Sequence, residues 1–521
     1  MISKVKTISS VGMKIIEVVV EAQISPGLAS FCIVGLPDKA VAEAKERIRS
    51  SFYSIGLGFP AKRIIVNLAP ADIPKIGSHY DLPIAMALLG AMEVIDLSED
   101  NNYIVIGELG LDGAINHVPG AICASMYANE NDMSIICPLS CANEARWSGN
   151  NSIIAPSNIL QLINHIKGKS QIPIINTDNV HKTNTLYNED MSDVKGHFEA
   201  KRALEIAACG RHNVLMIGPP GSGKSMLASR LRTILPELTP REALETTCIY
   251  SLAGMLPEDG LIYNPPYRAP HHSTSLVAMV GGGSAAKPGE ISLAHNGILF
   301  LDELPEFQRQ TIEALRQPLE DKTITISRAK EHITYLANIQ LIAAMNPCKC
   351  GYFGSRDKEC NKAPICAMDY RNRISGPILD RFDIIIYVKN ISSSALLSLD
   401  NNTLEVKDNN IKSSEIKQRV SIVRDIQIKR AEKVNLFSNQ LNGQINTNYL
   451  ESITELDNES KKLLQKSIDK LDISTRGFHR ILRVARTIAD MRHSEHINID
   501  DITEAMNYKL GSVDQIKLHL S

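Results

Sequence analysis

Apolar and polar residues follow different patterns in successive parts of this chain. In residues 1–166, short apolar runs at 15–20, 31–34, 64–68, 103–106 and 134–137 alternate with helix-like stretches at 38–51 and 82–92. Short apolar runs are typical of strands, whereas apolar positions three and four apart indicate the buried face of a helix. This part is therefore predicted to be an α/β domain.

Polar stretches divide the rest of the chain. Residues 167–193 lose periodicity and are rich in Asn, Thr, Lys and Asp, which indicates a linker. A second α/β pattern occupies 194–388. Residues 389–521 begin with another polar stretch and continue as an almost wholly helical pattern, so we expect a C-terminal helical domain there.

Composition narrows the class of protein. With 521 residues the chain is too long for one ordinary core, and 56 Lys and Arg balance 58 Asp and Glu, a net charge of −2. Any binding to nucleic acid must therefore use a local basic patch. The longest apolar run, 83–92, is far shorter than the roughly 18 residues that cross a bilayer. We expect a cytoplasmic protein without membrane contact, in which cysteines stay reduced.

The strongest motif is a phosphate-binding loop. An apolar strand at 214–217 leads into the loop, and a helical pattern follows it, as the GxxxxGK[ST] motif requires. Glycines let backbone N–H groups approach phosphates, Lys224 reaches the β- and γ-phosphates, and Ser225 can bind Mg²⁺. The motif residues are Gly218, Pro219, Pro220, Gly221, Ser222, Gly223, Lys224 and Ser225.

Two later strands end in polar residues. The apolar run 298–301 presents Asp302, expected to hold Mg²⁺, and Glu303, expected to polarise the attacking water. A further apolar strand ends at Asn346. Because ligands bind at the carboxyl ends of parallel strands, we expect Asn346 beside the γ-phosphate with the two carboxylates.

These motifs resemble a known family. The phosphate loop, "LFLDE" (299–303), the strand ending in Asn346 and "GPILDRFD" (376–383) are similar to AAA+ ATPases of the magnesium-chelatase and MCM-like branch. "RAPHHSTS" (268–275), "PGEISLAHNGILFLDELPEF" (288–307) and "RILRVARTIAD" (480–490) identify the chain as a member of the ComM/YifB family. The resemblance extends from residue 1 to about residue 510.

The resemblance carries several expectations. It implies an ATP- and Mg²⁺-dependent homo-hexamer with an AAA+ domain at 194–388 and a helical lid at 389–521. Asn346 becomes the sensor of the γ-phosphate, and Arg381 becomes the arginine finger offered to a neighbouring subunit. Arg476, in "STRGFHR", resembles the second sensor, and whether it acts in cis or in trans stays open.

The N-terminal domain resembles another fold. "PADIPKIGSHYDLPIAMALL" (70–89) with "IGELGLDGAINHVPGA" (106–121) is similar to the Lon-protease-like domain, a relative of the ribosomal S5 fold. Where that family carries its catalytic serine this chain has His79, and no lysine stands at the partner's place. We expect a non-catalytic binding or assembly module, since Ser78 lacks a base.

Two basic features are candidates for DNA contact. "KTITISRAKEHITYLA" (322–337) predicts a hairpin with Arg328 and Lys330 at its tip, which either faces a central pore or is simply solvated. Arg476, Arg480 and Arg483 recur on one helix face. Arg480 and Arg483 are the DNA-contact candidates there, and the alternative is a nucleotide-facing or solvated edge.

Four cysteines follow Asn346 with the spacing C-x-C-x9-C-x5-C: Cys348, Cys350, Cys360 and Cys366. Four thiolates suit tetrahedral Zn²⁺, although the first two are closer than usual, so we predict a zinc knuckle at 348–366. Reduced structural thiols and a redox switch are the alternatives. His271 and His272 are adjacent, which makes a shared metal difficult and favours a role in a loop.

Three functions fit the sequence. The resemblance to the ComM family implies a hexameric ATP-driven motor that remodels or branch-migrates single-stranded or branched DNA in recombination or natural transformation. A chelatase-type subunit would instead drive metal insertion through partner proteins. A regulatory AAA+ scaffold is the third. The Lon-like domain and the four cysteines favour the motor over the chelatase.

Overall fold

A computed structural model describes residues 2–97, 102–173, 187–257, 260–283, 286–327, 332–353, 361–390, 411–433, 440–454, 456, 458–471 and 474–518. The predicted hairpin tip with Arg328 and Lys330 lies outside these residues, as does Cys360. Within them, no helix has the length and apolar character needed to cross a bilayer.

The N-terminal part is built on a seven-stranded mixed sheet in the order β3-β4-β2-β1-β5-β8-β9. The strands, including the small hairpin β6–β7, are Ile2–Val11 (β1), Lys14–Ser25 (β2), Ser30–Val34 (β3), Arg63–Ala69 (β4), Tyr103–Val105 (β5), Glu108–Leu109 (β6), Ile115–Asn116 (β7), Ser134–Ile136 (β8) and Ile153–Ile154 (β9). The helices are Lys39–Ser54, Asp81–Ala91, Ala121–Glu130, Ala142–Arg146 and Ile159–Ile166. The α/β prediction is confirmed, but β1 was not predicted.

The missed strand β1 alternates buried and exposed positions over much of its length, which its sequence ISKVKTISSV shows only weakly because serine and threonine occupy several buried positions. It pairs with β2 along its whole length. The helix Lys39–Ser54 begins where Asp38 Oδ1 accepts a hydrogen bond of 2.8 Å from the Val41 N–H.

A five-stranded parallel sheet in the order β11-β14-β17-β10-β18 forms the second part. Its strands and the two associated hairpins are Val214–Ile217 (β10), Tyr267–Arg268 (β11), Gly281–Gly282 (β12), Lys287–Pro288 (β13), Ile298–Leu301 (β14), Thr323–Ser327 (β15), His332–Leu336 (β16), Gln340–Met345 (β17) and Ile384–Tyr387 (β18). The helices are Phe198–Gly210, Lys224–Ile234, Pro240–Ala253, Leu276–Val280, Glu290–Leu293, Arg309–Glu313, Arg316–Asp321, Ile365–Arg371 and Gly376–Leu379. The antiparallel pair β15–β16 confirms the predicted hairpin strands.

The C-terminal part is helical, as predicted. Its helices are Ser413–Lys433, Thr447–Ile453, Asn458–Leu471, Thr475–Met491 and Ile499–Leu518. They share one apolar core with a face of the five-stranded sheet, in which Val214 and Ile342 lie with Val420 and Ile481. Met191 belongs to the same core and its N–H donates to Ser413 Oγ at 2.7 Å, so this core begins three residues before the predicted boundary at 194.

The N-terminal part packs on the second part through a small buried cluster. Cys123 and Cys248 lie at its centre, with Trp147 against them. Next to it, Ser251 Oγ accepts a hydrogen bond of 2.8 Å from the Gly120 N–H and donates to the buried carboxylate of Glu144. The helix Pro240–Ala253 is therefore held by the N-terminal part.

Candidate active site

The phosphate loop connects β10 to the helix Lys224–Ile234, in the context that the sequence predicts. Gly221 and Gly223 adopt positive φ angles of 76° and 83°, a conformation that residues with a Cβ rarely take. At Gly218 a Cβ would lie 2.2 Å from the Val388 carbonyl oxygen. The loop can therefore form its tight path only with glycine at these positions.

Lys224 is buried at the start of this helix. Its Nζ donates to Gly218 O at 2.8 Å, to Pro219 O at 2.9 Å and to Asn346 Oδ1 at 3.3 Å. Burial lowers the pKa of the ammonium, and the charges of Asp302 and Glu303 oppose that shift. The oxygens that it contacts are neutral, so an incoming phosphate can take their place and supply the missing negative charge.

Asp302 follows β14 and faces the same loop. The Ser225 hydroxyl donates to Asp302 Oδ2 at 2.6 Å, so the two predicted Mg²⁺ ligands lie together. A serine hydroxyl and a carboxylate oxygen are the hard ligands that Mg²⁺ prefers. The donor set therefore fits a Mg²⁺ ion that also binds the nucleotide phosphates.

Glu303 takes a left-handed conformation with φ of 51°, and its N–H donates to Asp302 Oδ1 at 2.9 Å. Such a backbone angle is uncommon for a residue with a side chain, and strained backbone of this kind clusters at active sites. His272 Nδ1 lies 3.7 Å from Glu303 Oε2. The sequence placed His272 only in a loop, because nothing in it connects His272 with Glu303.

Asn346 directly follows β17, the strand that lies between β14 and β10. Leu301 pairs with Ala343 and Ile217 pairs with Met345, so the three strands end near one another. The structure thus brings together the phosphate loop, Ser225, Asp302, Glu303 and Asn346 at the carboxyl edge of the sheet.

The predicted arginines lie at the other edge. A cleft of about 340 Å³ is lined by Asn213, Ile339 and Asp383. These residues directly precede β10, β17 and β18. A strand rises about 3.3 Å per residue, so this cleft is roughly 15 Å from the phosphate loop of the same chain. We call it the cationic cleft, and its cations are Arg211, Lys322, Arg381, Arg476, Arg480 and Arg483.

Arg381 is buried in the cationic cleft, with its side chain 8% exposed. Its Nη1 donates to Pro377 O at 2.5 Å, and its Nη2 forms an ion pair with Glu320. Burial lowers the pKa of Arg381, and the charge of Glu320 opposes that shift. Arg476 is exposed at the same cleft.

Arg480 and Arg483 also face this cleft. Arg480 Nη1 lies 3.3 Å from Asp383 Oδ1, and the side chain of Arg480 is 14% exposed. Burial lowers the pKa of Arg483, and the charge of Asp383 opposes that shift. Their place beside Arg381 favours the nucleotide-facing alternative over a separate DNA-binding stripe.

The cysteines after Asn346 come together. Cys348, Cys350 and Cys366 place their sulfurs within 4.8 Å of one another. Cys348 is fully buried, and burial together with a hydrogen bond to Cys350 raises the pKa of its thiol. Gly351, with φ of 85°, lies against the phosphate loop, because a Cβ there would be 2.6 Å from Pro220 Cγ.

The N-terminal residues that resemble a protease motif are held by structural contacts. His79 is half-buried, and its Nε2 lies 3.0 Å from the Ile8 carbonyl oxygen. Lys75 is fully buried, and its amine donates to the Ile73 carbonyl at 2.7 Å and to that of Pro70. These backbone contacts agree with a binding or assembly role, which stays a prediction.

A parallel sheet in this order, with the phosphate loop after the strand next to β18 and a helical domain on one face, defines an AAA+ P-loop ATPase. Residues 190–396 match the family described as magnesium chelatase, subunit ChlI, and residues 410–509 match its C-terminal region. Residues 20–140 match a further family, which is described as subunit ChlI of Mg-chelatase.

Full-length relatives narrow the class. The chain is 41% identical over 507 residues to competence protein ComM of Haemophilus influenzae, covering 96% of both chains. It is 40% identical over 520 residues to the uncharacterized protein YifB of Escherichia coli, covering all of this chain and 99% of the relative. The DNA replication licensing factor mcm6 of Dictyostelium discoideum is 24% identical over 39% of this chain and 22% of its own length. The chain belongs to the ComM/YifB family of magnesium-chelatase-like AAA+ ATPases.

Proposed function

We propose that this protein is a ring-forming ATPase, a homo-hexamer, that remodels or branch-migrates single-stranded or branched DNA in recombination or natural transformation. One observation supports the ring: the phosphate loop and the cationic cleft lie at opposite edges of one sheet, so a single chain cannot bring them together. A second subunit that presents its cleft to this subunit's phosphate loop would complete the site.

The residues then divide between two subunits. Lys224 binds the β- and γ-phosphates, Ser225 and Asp302 hold Mg²⁺, and Glu303 orients the attacking water beside Asn346. Arg381 and Arg476 of the neighbouring subunit stabilise the charge that develops on the γ-phosphate, so both act in trans. The bound Mg²⁺ supplies charge neutralisation at the phosphates when it is present.

The cysteine cluster fits a structural Zn²⁺. Tetrahedral zinc with sulfur ligands about 2.3 Å away needs sulfurs about 3.8 Å apart. The three sulfurs lie within 4.8 Å of one another, and those of Cys348 and Cys350, 2.9 Å apart, would separate by about 1 Å on binding the ion. Cys348, Cys350 and Cys366 would hold the ion, and Cys360 was predicted as the fourth ligand. The zinc would stabilise the segment that contacts Pro220.

The DNA substrate is supported by the relatives. One full-length relative is named a competence protein, and a distant partial relative is named a DNA replication licensing factor. In the sequence of this chain, Arg328 and Lys330 stand between the residues of β15 and β16, outside the part that the structure describes. These two cations are the proposed DNA contacts. Arg480 and Arg483 stay candidates, although the ion pair of Arg480 with Asp383 favours a role within the cationic cleft.

DNA binding tests this proposal directly. The protein should bind forked or single-stranded DNA with an affinity that falls steeply with salt, because each neutralised phosphate releases counterions. Replacing Arg328 and Lys330 by alanine should weaken binding and reduce the salt slope by roughly one to two units. Basal ATP hydrolysis should not change. With ATP, only the wild type should move a synthetic Holliday junction.

A chelatase-like role is the second candidate, because all three family matches carry a magnesium-chelatase description, including the match at 20–140. The N-terminal domain therefore separates the two functions less well than its sequence suggests. If DNA neither binds at low salt nor stimulates ATP hydrolysis, the motor is excluded and the chelatase-like role takes first place.

A further inference from the structure

The contact between Glu320 and Arg381 carries a further inference about assembly. We propose that Glu320 is a clasp that holds Arg381 in the unassembled chain and is displaced by the terminal phosphate of a nucleotide bound to a second copy of this chain. This inference rests on the proposed action of Arg381 in trans. In this proposal the Glu320 carboxylate keeps Arg381 from binding phosphate until the nucleoside triphosphate of a neighbouring subunit displaces it.

The two side chains differ sharply in exposure. The side chain of Arg381 is 8% exposed, whereas that of Glu320 is 55% exposed. Glu320 therefore reaches solvent at the cationic cleft, whereas the guanidinium that it pairs with is almost wholly buried. The Nε atom of Arg381 is buried and has no hydrogen-bond partner among the residues that the structure describes. The guanidinium thus retains a donor that an added oxygen ligand could satisfy.

The charges of the cleft show which carboxylate can be exchanged. Its six cations face three carboxylates, those of Glu320, Asp380 and Asp383. Asp383 is buried and contacts Arg480, His212 and the Asn213 N–H. Burial alone would raise the pKa of Asp383, but the charge of Arg480 and the His212 ring, whose Nδ1 lies 3.5 Å away, outweigh it and hold that pKa well below its usual range. Asp383 is therefore fixed, whereas Glu320 is exposed and directly paired with Arg381.

A triphosphate is suited to displace Glu320. It carries more negative charge than one carboxylate and offers several oxygens to a planar guanidinium, which binds phosphate in a bidentate manner. The same charge repels Glu320 from the occupied site. A partly exposed ion pair alters an equilibrium by only about two- to fivefold, so the clasp can hold the arginine without preventing assembly.

Glu320→Gln removes the charge and keeps the size of the side chain. In sedimentation experiments with Mg²⁺ and a non-hydrolysable ATP analogue, we expect the protein concentration at half assembly to be about two- to fivefold lower than in the wild type. Glu320→Ala should shift it in the same direction. Glu504→Gln is the matched control, because Glu504 pairs with Arg202 at 3.1 Å outside the cleft, and it should leave this concentration unchanged.

Combined variants separate the clasp from the proposed function. Adding Glu320→Gln to Arg381→Ala should produce no further change, because the clasp then has nothing to hold. If Arg381→Ala alone assembles and hydrolyses ATP like the wild type, the action in trans is wrong and the clasp falls with it. If Arg381→Ala is impaired but both Glu320 variants, with unchanged thermal unfolding, assemble at the wild-type concentration or a higher one, only the clasp is overturned.

Discussion

The hydroxyl of Ser225 donates to a carboxylate oxygen of Asp302 at 2.6 Å, although the two residues are 77 positions apart in the chain. Ser225 lies in the first turn of the helix that follows β10 and the phosphate loop, and Asp302 follows β14, which is separated from β10 by β17. The contact makes the phosphate loop and the carboxylate proposed to bind Mg²⁺ one site. Because Lys224 and Glu303 are adjacent in sequence to Ser225 and Asp302, the contact also places these two residues at the site.

Lys224→Ala should weaken ATP binding by about 10- to 100-fold, because a buried charge-assisted contact to phosphate is lost.

Glu303→Gln should leave nucleotide affinity intact and stop turnover, since the phosphate contacts remain and only the group that orients water is changed. Binding of a fluorescent ATP analogue and release of phosphate measure the two effects. Wild-type hydrolysis by purified Glu303→Gln would show that Glu303 is not the catalytic carboxylate.

Arg381→Ala should be inactive alone but regain part of its activity when mixed with Lys224→Ala. The first variant keeps an intact phosphate loop and the second keeps an intact arginine, so one kind of mixed interface has both. ATP hydrolysis is measured at several mixing ratios, with ring formation checked by sedimentation. Rings that form but stay inactive at every ratio would place Arg381 in cis.

Purified protein should contain about one Zn²⁺ per chain, and Cys366→Ser should lower that content and the melting temperature, because metal affinity is also folding free energy. Cys32→Ser is the control, since Cys32 is exposed on β3 in the N-terminal sheet, away from the three clustered cysteines. Elemental analysis of protein prepared without chelators measures the metal. Absence of zinc in that preparation would leave reduced structural thiols as the explanation of the cluster.

Gly351→Ala should reduce nucleotide affinity, because the new Cβ would lie 2.6 Å from Pro220 Cγ and push on the phosphate loop. Gly254→Ala is a matched control: its φ of 71° is also positive, but a Cβ there meets nothing within 4 Å. Both variants should lose about 1 kcal/mol of stability from the left-handed backbone. Only Gly351→Ala should weaken binding of the ATP analogue, and equal affinities in the two variants would contradict the contact.

Sequence alone determined the features whose chemistry is local. The phosphate loop is a contiguous motif whose glycines and lysine have their roles within one turn of chain, and the apolar run before Asp302 shows that a buried strand presents it. The polar tip at Asn346 follows from the same argument. The helical C-terminal part was equally clear, because its periodicity extends over many turns.

The tertiary structure alone decided those features that depend on the edge of the sheet at which a residue lies. The helical pattern placed Arg476, Arg480 and Arg483 on one face but could not show that this face joins Arg381 at the amino edge of the strands. The contacts of Arg381 with Glu320 and of Glu303 with His272 have no sequence signature either. Each joins segments whose separation along the chain says nothing about their distance, because strand order in the sheet, rather than sequence order, sets which loops meet.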